Sequence, residues 1–212
     1  MLNKRFKAGI QKALRPEGHF KLTAGVLAVS AACLFLVITA GFTVVKPDFA
    51  FQNTDLETFL NIDYIPQIPA VIFTAALLGR ALSMLVMLAY AALGLSLAAP
   101  VFAFGGGPDY VFQYTFGYTA SFIFAAYFCA KELRNGSSFI HTITAVLTGV
   151  FIIHISGIIY TVLIAFIRQD TLEYTYSLIF YQSLSKILYD ILLSIAAAIA
   201  AKPVKKLLFL VV

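Results

Sequence analysis

Lys186 is the side chain whose chemistry most needs an explanation. It stands in the run 174–201, which is otherwise uncharged except for Asp190. About eight residues, or roughly 12 Å along a helix, separate it from the end of that span expected outside. An ammonium at that depth is costly unless it is paired or faces a wet hollow, so function is the default reading. Two structural alternatives stand beside it. Lys186 could pair with Asp190 one turn on, in the less favourable helix order, or its stem could snorkel to the surface. Ser183, Lys186 and Asp190 follow i, i+3 and i+7, on one helix face. The cavity-facing reading is preferred, with a cation and a hydroxyl presented to a small ligand.

Aromatic residues give a second signal. Tyr110, Tyr114 and Tyr118 recur every four residues, predicting one helical stripe. Tyr64, Tyr160, Tyr174, Tyr176 and Tyr181 fall at or near the same, outer side, whereas Tyr127 and Tyr189 fall near the inner side and Tyr90 mid-span. An interfacial belt should occupy both membrane surfaces. The asymmetry predicts an aromatic-lined pocket open to the outside, suited to a small ring-bearing anion. His154 lies mid-span, where it either lines a deep pocket or packs as a satisfied histidine. Thirteen residues separate it from His141, which is not a metal-binding spacing. Cys33 and Cys129 sit in apolar runs and form no metal-ligand pattern. The glycine loop PVFAFGGGPD, 100–109, lacks the lysine and serine of a phosphate-binding loop. No nucleophile–base arrangement or paired carboxylates occur, so neither enzymatic activity nor a metal or cofactor is expected.

The elements that must carry these residues are membrane spans. Hydrophobic residues make up 61% of the 212, and charged residues 12%. Soluble domains run about 45–50% and about 25%. That gap excludes an ordinary soluble protein, a disordered chain and a nucleic-acid binder. A crossing helix needs about 20 apolar residues, and spans are predicted at about 22–45, 66–79, 81–99, 110–130, 138–167 and 177–201. The second is short: Pro66 and Pro69 leave roughly 18 Å of helix. Charge sets the parity. With six crossings, the inner segments hold 12 basic residues against two acids, and the outer segments hold two against seven. Removing the short crossing would place Lys131, Arg134 and the C-terminal lysines outside, against the positive-inside rule. The expected fold is therefore an all-α integral membrane protein of the cell (plasma) membrane. It is a six-transmembrane-helix bundle over 22–206 with both termini cytoplasmic.

Residues 1–21 read as a basic amphipathic helix on the inner leaflet, with Leu2, Phe6, Ile10 and Leu14 at intervals of four; a frayed basic tail is the alternative. Residues 207–212 form a C-terminal tail. The loop 46–66 is read as a cap over the bundle or a plain connector. In the first span, Ala24, Ala28 and Ala32 form a small-residue ladder, fit for internal packing or for a partner membrane subunit.

Several of these segments together resemble the BioY family, the biotin-binding membrane subunits of energy-coupling-factor (ECF) transporters. The run IPQIPAVIFTAALLGR, 65–80, looks like the family's proline-bearing short second helix. Tyr90 and Gly94 reproduce its Tyr-x-x-x-Gly, and PVFAFGGG, 100–107, is close to its Pro-Val-Phe followed by glycines. In QYTFGYTASF, 113–122, Thr115, Gly117, Tyr118 and Phe122 match its Gly-Pro-Thr-Gly-Gly-Tyr-x-x-Gly-Phe. Gly157 and Tyr160 fit loosely, and YQSLSKILYD, 181–190, resembles the last-helix motif. There the family's Asp-x-x-Lys reads Ser183-x-x-Lys186, so the lysine carries over and the acid does not.

The resemblance implies a membrane-embedded S component that captures biotin or a biotin-like vitamin outside for ATP-driven uptake. Its partners would be a transmembrane coupling subunit and two ATPase subunits. Ala24, Ala28 and Ala32 would dock the coupling subunit. Together with the reading of the residues themselves, the expected ligand-binding set is Lys186, Ser183, Tyr118, Thr115, Tyr114, Gln113, Tyr160 and His154, with Gln113, which stands with Tyr114 where the family has Gly-Pro, replacing part of the lost hydrogen bonding. The alternative is a ligand-free membrane scaffold, in which Lys186 only pairs with Asp190.

Overall fold

A computed structural model describes residues 23–46, 62–98, 101–103, 105–136 and 138–208. The expected amphipathic segment 1–21, most of the loop 46–66 and the end of the C-terminal tail lie outside the described residues.

Helix α1 (Ala24–Phe42) starts where the Thr23 hydroxyl accepts a bond from the Val26 amide at 3.2 Å. It is apolar nearly all round, yet only Cys33, Val37, Ala40 and Gly41 are buried. Such a helix has one stripe on its bundle and the rest of its apolar surface facing outward, as lipid contact demands. Helix α2 (Gln67–Leu95) is continuous except at Gly79, which takes φ 75 and ψ −175. Without a Cβ, glycine reaches that conformation at little steric cost. The break falls at the expected boundary between the second and third spans, so the two become arms of one element, 67–78 and 80–95. The short arm buries most of its residues, including Val71, Ile72, Thr74 and Leu78. A helix wrapped in protein can stop short, because neighbours satisfy the chain that completes its path.

A 3-10 turn (Pro108–Phe112) leads into α3 (Phe116–Asn135). Helix α4 (Phe139–Arg168), capped by Ser138, matches its predicted span closely and ends on Gln169 in the left-handed region. The last predicted span is not one uninterrupted α-helix. It begins as α5 (Leu172–Ile179), widens into a π turn (Phe180–Leu184) and continues as α6 (Ile187–Leu207).

Among the described residues no strand forms; Val45–Tyr64 and Phe102–Gly105 are isolated bridges. The core lies between α2, α3, α4 and α6. Among the described residues four helical stretches, Ala24–Phe42, Gln67–Leu95, Phe139–Arg168 and Leu172–Leu207, are long and apolar enough to cross a membrane. The perimeter exposes Phe35, Ile140, Phe166 and Leu172, a large apolar surface of the kind that water-soluble monomers avoid.

Candidate functional site

A hollow of about 170 Å³ opens between the two arms of α2, the segment around Phe102, the start of α3 and the π turn. Aromatic rings make most of its wall. Phe102 packs against Tyr110 at 4.5 Å and Tyr90 at 5.3 Å between centroids, and Tyr90 stacks on Phe122 at 6.2 Å. The segment around Phe102 is held to α2 in two ways. The Gly107 amide donates to the Gly94 carbonyl at 2.9 Å, and the Phe102 ring fills the space a Cβ on Gly94 would need. Gln67, at the start of the short arm, donates from Nε2 to the Tyr90 hydroxyl on the long arm at 2.6 Å. That bond ties the arms together beside the hollow.

The π turn sets the polar side. The Ser185 amide donates to the Phe180 carbonyl five residues back, at 3.0 Å, so the turn takes in one residue more than an α turn does. Gln182, Lys186 and Asp190, spaced by four, therefore all line the hollow. Ser183 turns away from it. Its Oγ lies 2.7 Å from the Tyr118 hydroxyl and 3.0 Å from His154 Nδ1. His154 Nε2 is 3.1 Å from Asp190 Oδ2, and the Tyr64 hydroxyl donates to Asp190 Oδ1 at 2.9 Å. Burial, then the neighbouring carboxylate, push the Tyr64 phenol well above its ordinary range, which keeps it a donor. Five buried side chains thus form a closed polar chain, as buried polar groups require. Both Asp190 oxygens are engaged, and among the described residues Lys186 makes no hydrogen bond or ion pair. The close Lys186–Asp190 ion pair foreseen as an alternative does not form, although the two opposite charges attract at longer range.

The predicted site residues divide. Lys186, Tyr118 and Thr115 line the hollow. Ser183 and His154 stand behind Tyr118 as its supports. The Tyr118 ring is also pressed against α4 at Gly157, where any Cβ would overlap it. Tyr114 does not join Tyr110 and Tyr118. The predicted helical stripe fails because 108–115 is a 3-10 turn followed by an irregular turn, so the four-residue spacing no longer maps to one face. Tyr114 instead donates to Asp170 Oδ2 at 2.5 Å, with the Arg168 guanidinium 4.7 Å from its ring centroid. Gln113 is exposed beside it. Tyr160 packs under Gly117 and donates to the Val111 carbonyl, which props the 3-10 turn rather than the hollow. Sequence reasoning missed Gln182, Gln67 and Phe102 as wall residues and left Asp190 without a role. The Gln182–Lys186–Asp190 spacing of four was the available signal. Ala24, Ala28 and Ala32 are all exposed on α1. Among the described residues no group of three or more His, Cys, Asp or Glu could hold a metal ion.

One solved structure, described as the S-component for biotin from an ECF-type ABC transporter, shares this fold. Its TM-score is 0.66 at 21% identity, over 88% of this chain and 95% of that one. No curated protein matches the chain. Residues 20–209 match the BioY family as a sequence. With nine-tenths of its length covered by that match, and with the short proline-bearing arm, the glycine segment and Lys186 gathered around one aromatic hollow, the chain belongs to the BioY family.

Proposed function

We propose that this protein is the membrane-embedded S component of an energy-coupling-factor transporter. It captures biotin or a biotin-like small molecule for ATP-driven uptake powered by partner subunits. One observation carries the reading: in a BioY family member, the ammonium of Lys186, without a hydrogen bond or ion pair among the described residues, borders a hollow walled by aromatic rings. Tyr90, Phe102, Tyr110 and Phe122 supply flat apolar surface for the body of the ligand. Lys186, Thr115 and Tyr118 supply the few polar contacts that fix its orientation. Ser183 and His154 act through Tyr118, holding its hydroxyl in place.

In this reading the two arms of α2 cross the membrane separately, giving six crossings with both termini cytoplasmic. The 12 basic residues against two acids on the inner segments support that orientation. The partners are a transmembrane coupling subunit and two ATPases, and the chain itself hydrolyses no ATP. The ladder Ala24, Ala28 and Ala32, exposed on α1, suits close approach of a coupling helix.

Thermal unfolding of the purified protein with biotin, thiamin and riboflavin tests the proposal. A ligand at a hundred times its dissociation constant stabilises the folded state by about 2.7 kcal/mol. Biotin should raise the melting temperature and the other two should not. Identical curves with all three would leave a ligand-free scaffold as the better account.

A further inference from the structure

We infer that Gln182, and not Ser183, reads the ligand's N–H group, making Gln182 a specificity-determining residue of this site. The inference rests on the vitamin-capture reading of the hollow. Its basis is an inventory of the acceptors around that hollow. Asp190 is engaged by Tyr64 and His154. Thr115 Oγ1 is bonded to the Tyr110 hydroxyl at 2.9 Å, the Tyr90 hydroxyl accepts from Gln67, and the Tyr118 hydroxyl is bonded to Ser183. Among the described residues lining the hollow, Gln182 Oε1 is the side-chain acceptor that is both buried and without a partner. A buried acceptor without a donor is rare in native proteins and marks a place where a donor is to be supplied.

The geometry also limits what supplies it. Lys186, one turn on from Gln182, is a donor with no acceptor among the described residues. On the wall formed by residues 182–190, the groups without a partner among the described residues are thus an amide edge and an ammonium. Whichever way the amide is turned, it presents an acceptor beside a donor. Its complement is an N–H next to a carbonyl, as in a ureido or cyclic amide ring, with an oxygen within reach of Lys186. Ser183 cannot fill this role without breaking its bonds to Tyr118 and His154. The acid missing at position 183 is therefore replaced by a neutral acceptor one residue earlier, brought into the hollow by the π turn.

The test compares biotin with its two isomers methylated on a ureido nitrogen, titrated calorimetrically into the parent and Gln182→Met. Methionine keeps the length and removes the amide. The parent should bind one methyl isomer about five- to tenfold more weakly than biotin, as expected for one neutral hydrogen bond. In Gln182→Met, biotin affinity should fall by about the same factor, and discrimination against that isomer should largely vanish. Should the methionine variant not fold, Gln182→Asn, which withdraws the amide by one methylene, replaces it with the same expected result. If biotin binds the parent and the variant keeps parental affinity or full discrimination, Gln182 is not the reader, while the capture function stands. If the parent lacks discrimination between biotin and both isomers, the N–H assignment is likewise wrong. Failure of biotin to bind the parent at all overturns both the inference and the function beneath it.

Discussion

Replacing Lys186 with methionine separates a ligand-binding lysine from a structural one, because the two roles move stability in opposite directions. Methionine retains most of the stem and its packing and deletes the ammonium. Nothing among the described residues bonds that ammonium, and Asp190 already accepts from Tyr64 and lies 3.1 Å from His154 Nε2. The substitution therefore orphans no partner. It also removes a half-buried charge, so the ligand-free protein should melt at the parental temperature or above it. Were Lys186 the counter-ion that keeps Asp190 charged, its loss would instead cost about 3–5 kcal/mol, the usual penalty for breaking a buried pair. Binding should respond the other way. A hydrogen bond to a charged group is worth about 1.5–3 kcal/mol, so biotin affinity should drop about tenfold to a hundredfold. Melting curves without ligand and calorimetric titration with biotin read the two effects independently. A variant that melts well below the parent and binds biotin with parental affinity would refute the argument, since both numbers would then point to a structural ion pair.

Two further perturbations probe the frame around the hollow. Gly157→Ala places a methyl group inside the Tyr118 ring. Overpacking of this kind costs about 1–3 kcal/mol, and displacing the Tyr118 hydroxyl from Ser183 should weaken biotin binding in the same titration. Ala28→Trp adds bulk to the exposed ladder of α1, which contributes no residue to the lining of the hollow. It should abolish copurification with the coupling subunit while biotin binding stays parental; an intact complex would remove that face from the docking surface.

Composition and pattern made most of the helical frame legible. Uninterrupted apolar runs can satisfy their backbone groups in lipid only as helices, and the run 138–167 became α4 almost residue for residue. Pro66 and Pro69 marked the start of a short arm, because local steric rules for proline do not depend on the rest of the fold; the sharp break at Gly79 emerged only in the structure. Lys186 was identifiable by the same local reasoning, since the cost of its charge follows from depth alone.

What the sequence could not decide was which neighbours of Lys186 share its face. Ser183 at i+3 spacing was the natural choice on an α-helix. The π turn over Phe180–Leu184 exchanged it for Gln182, and no glycine or proline announces that turn. A helix that takes in one extra residue does so to suit the elements packed against it. Here those are Tyr118 from α3 and His154 from α4, which claim the Ser183 hydroxyl. The same limit hid the role of Asp190, whose partner Tyr64 lies 126 residues away in the chain. Helix periodicity is a property of a few consecutive residues and can be read from them. The register of one helix against three others depends on contacts between distant segments, and those exist only once the chain has folded.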